Sequence, residues 1–306
     1  MKDDHRKHEL LAFFGLILAA LFWGISYPLT KYVEAVPTFY IISIRFSLAT
    51  LVLSICGFRH FRNLNFDTLK FSFILSFIVT AMYIFNIVGV KYTTSVKASF
   101  FTTLSFLVCP VINWLLYKVK ISKIIGRSAL ICLAGTCMLC WKPDLGGLVI
   151  NLGDVLCALA SVAGAINIIY MEKISHRANI DNTMFTICLM AFISIWGTLI
   201  ALVRGEFTYH SMVTSSEMTA IVIMGLFSSA GAFILQIHCE KLVPSNRVGI
   251  IFSLEPASGC ILSVLLIHET MSLIGWLGAV VIMISIIYME LANNKEQAKL
   301  SDRKVN

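Results

Sequence analysis

"KLVPSNRVGIIFSLEPASG" runs from Lys241 to Gly259. A carboxylate, Glu255, and a helix breaker, Pro256, stand together inside a stretch otherwise apolar enough to be a membrane helix. The stretch echoes an earlier one, "KYTTSVKASFFTTLSFL" (Lys91 to Leu107), at a constant offset of 150 residues. Lys241 matches Lys91, Ser245 matches Ser95, Arg247 meets Lys97, and Leu254 meets Leu104. Further on, "SKIIGRSALICLAG" and "SLIGWLGAVVIM" each open an apolar run with a glycine, Gly126 and Gly275. The chain therefore reads as two copies of one unit.

Composition names the solvent. Of 306 residues, 58% are hydrophobic and 13% charged, with mean hydropathy +0.84; soluble domains carry roughly 25% charge. Apolar runs near the length of a bilayer-spanning helix recur from end to end. They are continuous rather than alternating, so the expected fold class is an all-α polytopic membrane protein, not a barrel. Ten spans are expected, near 10–32, 38–57, 68–90, 95–117, 123–141, 151–172, 181–203, 216–239, 246–267 and 272–291. The first follows a short charged tail and is too long for a signal peptide. Ten spans in two copies give five each, and an odd number inverts the second copy. The expected organisation is a tail over 1–9, repeats over 10–141 and 151–291, and a polar, disordered tail over 292–306. Inverted repeats place a substrate site near the midplane between them.

The net charge of +7 implies no nucleic acid partner, because the basic residues lie in the tails and loops. With the N-terminus in the cytoplasm, the inner segments hold 18 of the 24 lysines and arginines, the outer ones 5, and Arg45 lies within a span. That bias predicts both termini inside the cell membrane. The nine cysteines sit in or at the edges of spans and read as small packing residues rather than a disulfide framework. Cys137 and Cys140 form a C-x-x-C with no nearby histidine or acid, and His268 and Glu269 lack a second histidine, so neither a metal nor another cofactor is expected.

The chain resembles the EamA-type branch of the drug/metabolite transporter superfamily. The resemblance is carried by "FWGISYPLTKY" in span one, "IRFSLATLVL" in span two, "KYTTSVKASFFTTLSFLVCPVI" across spans three and four, and "SLEPASGCILSVLLIHETMSLIGWLGAVVIM" across spans nine and ten. It covers about residues 10–291. It implies ten helices, two inverted repeats, cytoplasmic termini and transport of small organic solutes such as amino acids. The first repeat has Ser105 and Phe106 where the second has Glu255 and Pro256, so the expected site is asymmetric.

Two residues carry the largest cost. Arg45 lies ~10 Å below the outer boundary of its span, where a charge costs about 2.5–3.5 kcal/mol. It either binds an anionic group of the substrate, pairs structurally, or snorkels to the interface. Glu255 lies ~14 Å into span nine. A carboxyl removed from water holds its proton more readily, which would suit proton coupling; a nearby Arg45 would keep it ionised, and an inter-helix pair would make it structural. Pro256 frees a backbone carbonyl one turn earlier, which is tolerated where the helix faces protein or a cavity. A kink lining the central cavity is the expectation.

Lys97 and Arg247 read as snorkelling cations, with Lys97 also able to attract anions at the outer mouth. Trp23 and Tyr27 share one face of span one. With Tyr83, Asn86, Asn167 and Gln236 they complete the candidate substrate-binding set of Trp23, Tyr27, Arg45, Tyr83, Asn86, Lys97, Asn167, Gln236 and Glu255. Each polar member alone is equally at home in hydrogen bonds between helices. Small-residue runs such as "ALASVAGA" (158–165) and "SSAGA" (228–232) suit close helix approach.

The function these features favour is a secondary transporter working by alternating access, with a small metabolite and the bilayer as partners. No nucleotide-binding loop points to ATP as the direct drive. An intramembrane enzyme would need paired acids or a serine–histidine or metal constellation at depth, and no aspartate lies deep in any span. A receptor or scaffold would not need Arg45 and Glu255 in a repeat core.

Overall fold

A computed structural model describes residues 2–93, 98, 101, 102, 104–118, 121–139, 151–267 and 272–303. Every regular element among them is helical. Besides short 3₁₀ helices at Phe58–Asn63 and Glu206–Met212, they are in chain order α1 (Lys2–Gly24), α2 (Ser26–Tyr32), α3 (Thr38–Cys56), α4 (Phe66–Tyr92), α5 (Ser105–Tyr117), α6 (Lys123–Leu139), α7 (Leu152–Ser175), α8 (Asn182–Val203), α9 (Ser215–Ile223), a π-helical segment (Met224–Gly231), α10 (Ala232–Cys239), α11 (Ser245–Phe252), α12 (Leu254–Ile267) and α13 (Leu273–Arg303). Among the described residues seven helices or helix pairs have the length and hydropathy of a membrane span, and Ser105–Tyr117 and Leu273–Met289 are shorter apolar helices. Leu51, Ile55, Leu199, Leu265 and Ile284 are exposed, as a lipid-facing surface requires.

Helix starts are written locally. Asn65 accepts from the Thr68 N–H at 2.8 Å to open α4, and Asp181 accepts from Met184 at 3.0 Å to open α8. Asn151 with Asp154, and Thr214 with Glu217, form reciprocal capping boxes at α7 and α9. The first turn of α3 is capped from far away in sequence: Glu206 accepts from Phe39 and Tyr40 N–H at 2.9 and 3.0 Å.

Two helix breaks share one cause. α1 gives way to α2 at Ile25, and α11 to α12 at Ser253. Each break stands three residues before a proline, Pro28 and Pro256, whose ring displaces the carbonyl four residues earlier. The broken helices meet, α12 packing on both α1 and α2. Contact is that close because Gly24 has no side chain: a Cβ there would lie 1.9 Å from Ser258 Oγ and 3.0 Å from Gly259 N.

Elsewhere α4 packs on α7 and α8, α3 on α8, α6 on α13, and α5 on α7 and α11. One apolar cluster joins α1, α5, α6, α7 and α10 to α13; a second joins α3, α4, α7, α8 and α10; Trp23 packs against both.

Two expectations need correcting. The polar tail is helical as far as Arg303, because Lys295, Glu296, Gln297, Ala298, Lys299 and Leu300 are strong helix formers that continue α13. Arg247 does not snorkel. It is 6% exposed, and its guanidinium meets Glu9 of α1 at 2.6 Å, a partner that offsets the cost of burial.

Candidate functional site

The helix breaks border a cavity inside the bundle. Its walls come from six places in the chain. The α1–α2 corner supplies Trp23, Ser26 and Tyr27; α3 supplies Arg45; α4 supplies Met82, Tyr83 and Asn86. Thr102 and Ser105 approach from the start of α5, Ala160, Gly164, Asn167 and Ile168 from α7, and Phe252 and Glu255 from the α11–α12 corner.

Arg45 is 2% exposed and is held almost wholly by neutral groups. Its Nε donates to Ser229 Oγ at 2.6 Å; longer contacts reach Tyr83 OH at 3.4 Å, Ser26 Oγ at 3.5 Å and Met224 Sδ at 3.9 Å. The guanidinium carbon lies 4.9 Å from the Tyr83 ring centroid and 5.7 Å from that of Phe46, near enough for the ring faces to attract the charge. Ser229 and Met224 belong to the π-helical segment, a local rewinding that turns extra groups toward one partner. None of the ion pairs among the described residues includes Arg45 or Glu255. The cavity thus holds a guanidinium and a carboxyl that make no direct ion pair but lie near enough for their charges to interact.

Glu255 accepts from Tyr27 OH at 2.9 Å, a contact set by the approach of the two broken helices. Trp23 stands edge-on to Phe252, with centroids 4.8 Å apart, and to Phe233 at 5.6 Å. Asn86 Nδ2 donates to Thr102 Oγ1 at 3.1 Å.

Of the residues singled out in the sequence, Trp23, Tyr27, Arg45, Tyr83, Asn86, Asn167 and Glu255 line the cavity. Lys97 lies outside the described residues. Gln236 is not on the wall; it is fully buried behind Asn167, whose Nδ2 donates to Gln236 Oε1 at 3.4 Å. Ser105 lines the cavity as its repeat mate Glu255 does. Ala160 and Gly164, read from sequence as a packing surface, make room in the wall. Met82, Thr102, Ile168 and Phe252 carry no sequence signal that separates them from ordinary core. The grip of Ser229 and Met224 on Arg45 is equally silent, because it depends on the π-helical turn.

Below the cavity, toward the bundle end that carries the N-terminus, α5 and α11 are joined by polar side chains. Asn113 Nδ2 donates to Ser245 Oγ at 2.9 Å and to Asn246 Oδ1 at 2.7 Å, and Cys109 Sγ donates to the Ser245 carbonyl at 3.4 Å.

The EamA-like transporter family model matches residues 10–141 and 151–291. The chain therefore belongs to the EamA-like transporter family and is a multi-pass membrane transporter. It is similar to an uncharacterized transporter of Archaeoglobus fulgidus, 26% identical over 286 residues that span 92% of this chain and 87% of the relative. It is also similar to the uncharacterized transporter YetK of Bacillus subtilis, 25% identical over 285 residues, covering 89% and 84%. One solved crystal structure superposes with a TM-score of 0.74 at 17% identity, covering 93% of this chain and 98% of that one. At that identity the likeness concerns the fold alone.

Proposed function

We propose that the protein is a secondary transporter that moves a small organic metabolite, an amino acid or related solute, across the cell membrane by alternating access. Ten membrane helices form two inverted five-helix repeats over 10–141 and 151–291, with both termini cytoplasmic. The observation that carries this reading is the cavity itself. It brings a buried cation from the first half, Arg45, and a carboxyl from the second, Glu255, to one space between broken helices. Intramembrane charges are costly and are retained where they serve a solute or proton path. A solute with both an acid and an amine would meet a complementary group at each end, and Trp23, Tyr83 and Phe252 supply apolar surface between them. Proton coupling belongs to Glu255, and the bilayer supplies the surroundings.

The test is a thermal-shift screen of the purified protein against a metabolite panel, followed by counterflow of each hit in proteoliposomes. Saturable counterflow of a zwitterionic or anionic hit is the expected result. A stabilising ligand that never crosses the bilayer would overturn transport in favour of a receptor.

A further inference from the structure

Behind the cavity wall lies a second buried carboxyl, Glu240, fully buried and one residue beyond the span Ser215–Cys239. Its Oε1 accepts from Gln236 Nε2 at 2.7 Å, while its Oε2 has no hydrogen-bond partner among the described residues. Gln236 Oε1 in turn accepts from Asn167 Nδ2 at 3.4 Å. Asn167 lines the cavity, and its own Oδ1 has no hydrogen-bond partner among the described residues either. Three polar side chains thus run in file from the cavity toward the N-terminal end of the bundle, with an unsatisfied acceptor at each end.

The surroundings of Glu240 oppose its charge. Burial comes first and pushes the carboxyl well above the usual carboxylate range; the Gln236 hydrogen bond works against this, and the charge of Glu172 on α7 adds to it. The other titratable groups facing it are the thiols of Cys109 on α5 and Cys239 on α10. On α1, Glu9 is engaged with Arg247 of α11, and α8 carries no charged residue between Asn182 and Val203. Lys241 is exposed. None of the ion pairs among the described residues includes Glu240.

A side-chain amide offers an acceptor on one side and donors on the other, so this file has two self-consistent directions. With Glu240 ionised, Asn167 donates to Gln236 and Gln236 donates to Glu240, which leaves Asn167 Oδ1 as a spare acceptor. With Glu240 protonated, its O–H donates to Gln236 Oε1, and Gln236 Nε2 donates to Asn167 Oδ1. The orphaned oxygen is then satisfied and the Asn167 amide nitrogen is released. We propose that Glu240, Gln236 and Asn167 form a proton-responsive relay, in which a proton taken up at Glu240 turns both amides over and sets whether Asn167 offers the cavity an acceptor or a donor. Its use in transport rests on the cavity being the solute site. The relay itself needs only the proton as ligand.

The test follows the side-chain amide signal of Asn167 by NMR in protein labelled with ¹⁵N-asparagine and held in nanodiscs, across a pH titration, with the signal assigned by its loss in Asn167→Ser. A pH-dependent shift is expected in the wild type. It should disappear in Glu240→Gln, which preserves size and hydrogen bonding, and in Gln236→Leu, which breaks the file in the middle. It should survive in Glu255→Gln. A titration in Glu240→Gln unchanged from wild type would overturn the assignment to Glu240, and one unchanged in Gln236→Leu would overturn the relay. A flat wild-type signal would overturn both. None of these readings depends on solute flux, so a protein inactive in liposomes would count against transport and leave the relay standing.

Discussion

Arg45→Met separates binding from architecture. Removing the guanidinium spares about 2.5–3.5 kcal/mol of burying a charge at membrane depth. Against this stand the hydrogen bond to Ser229, about 1.5–3 kcal/mol for a charged donor, and the contact with the Tyr83 ring, about 2 kcal/mol when desolvated. The two sides nearly cancel, so the variant should melt within about 5 °C of the wild type. Binding should respond differently. Arg45 makes no direct ion pair among the described residues, and a solute carboxylate that pairs with it loses about 2–5 kcal/mol when its buried partner is removed. At 1.4 kcal/mol per tenfold that is about 30-fold or more in affinity. The assay compares an acidic hit with its carboxamide analogue in both proteins by equilibrium binding. The wild type should prefer the acid, and Arg45→Met should bind the two alike. The reasoning fails if Arg45→Met keeps the wild-type preference, if its melting temperature collapses, or if the panel yields no acidic ligand at all.

Other variants probe the remaining parts. Glu255→Gln should abolish flux driven by a pH gradient while counterflow continues; loss of counterflow as well would make Glu255 a binding or folding residue. Gly24→Ala should cost about 1–3 kcal/mol by overpacking, since its methyl lies 1.9 Å from Ser258 Oγ. Thermal melts should show partial recovery in the double variant with Ser258→Gly, and no recovery would place the strain elsewhere. At the N-terminal end, partial burial of Asp181 is outweighed by hydrogen bonds from His60, the Met184 N–H and Asn63, which hold its carboxyl below the ordinary value of 3.8. A depressed carboxyl stabilises the fold above its unfolded value, and that contribution is lost as pH falls through the folded one. Asp181→Asn should therefore flatten the acid limb of the melting temperature against pH, and an unchanged limb would exclude this cluster from acid stability.

Much of the site was visible residue by residue. Arg45 and Glu255 announce themselves because a charge in hydrocarbon needs a reason, and seven of the nine candidates line one cavity. Gln236 misleads because its polarity serves a buried carboxyl behind the wall, a distinction of a single helix turn. Glu240 escaped notice because it stands at the edge of its span beside Lys241, where a charge in the sequence looks solvated.

Class, helical content and helix limits are local properties. Hydrocarbon leaves a chain few ways to satisfy its backbone, and Asn65, Asn151, Asp181 and Thr214 mark starts through bonds three residues long. The prolines at 28 and 256 mark breaks through a clash four residues back. What those breaks face is not local. That Gly24 lets α1 and α2 press against α12, that Tyr27 therefore reaches Glu255, and that Ser229 of the π-helical turn holds Arg45 are contacts spanning 184 to 235 residues of sequence. Only packing decides them, because shape and close approach carry no periodicity that a sequence displays.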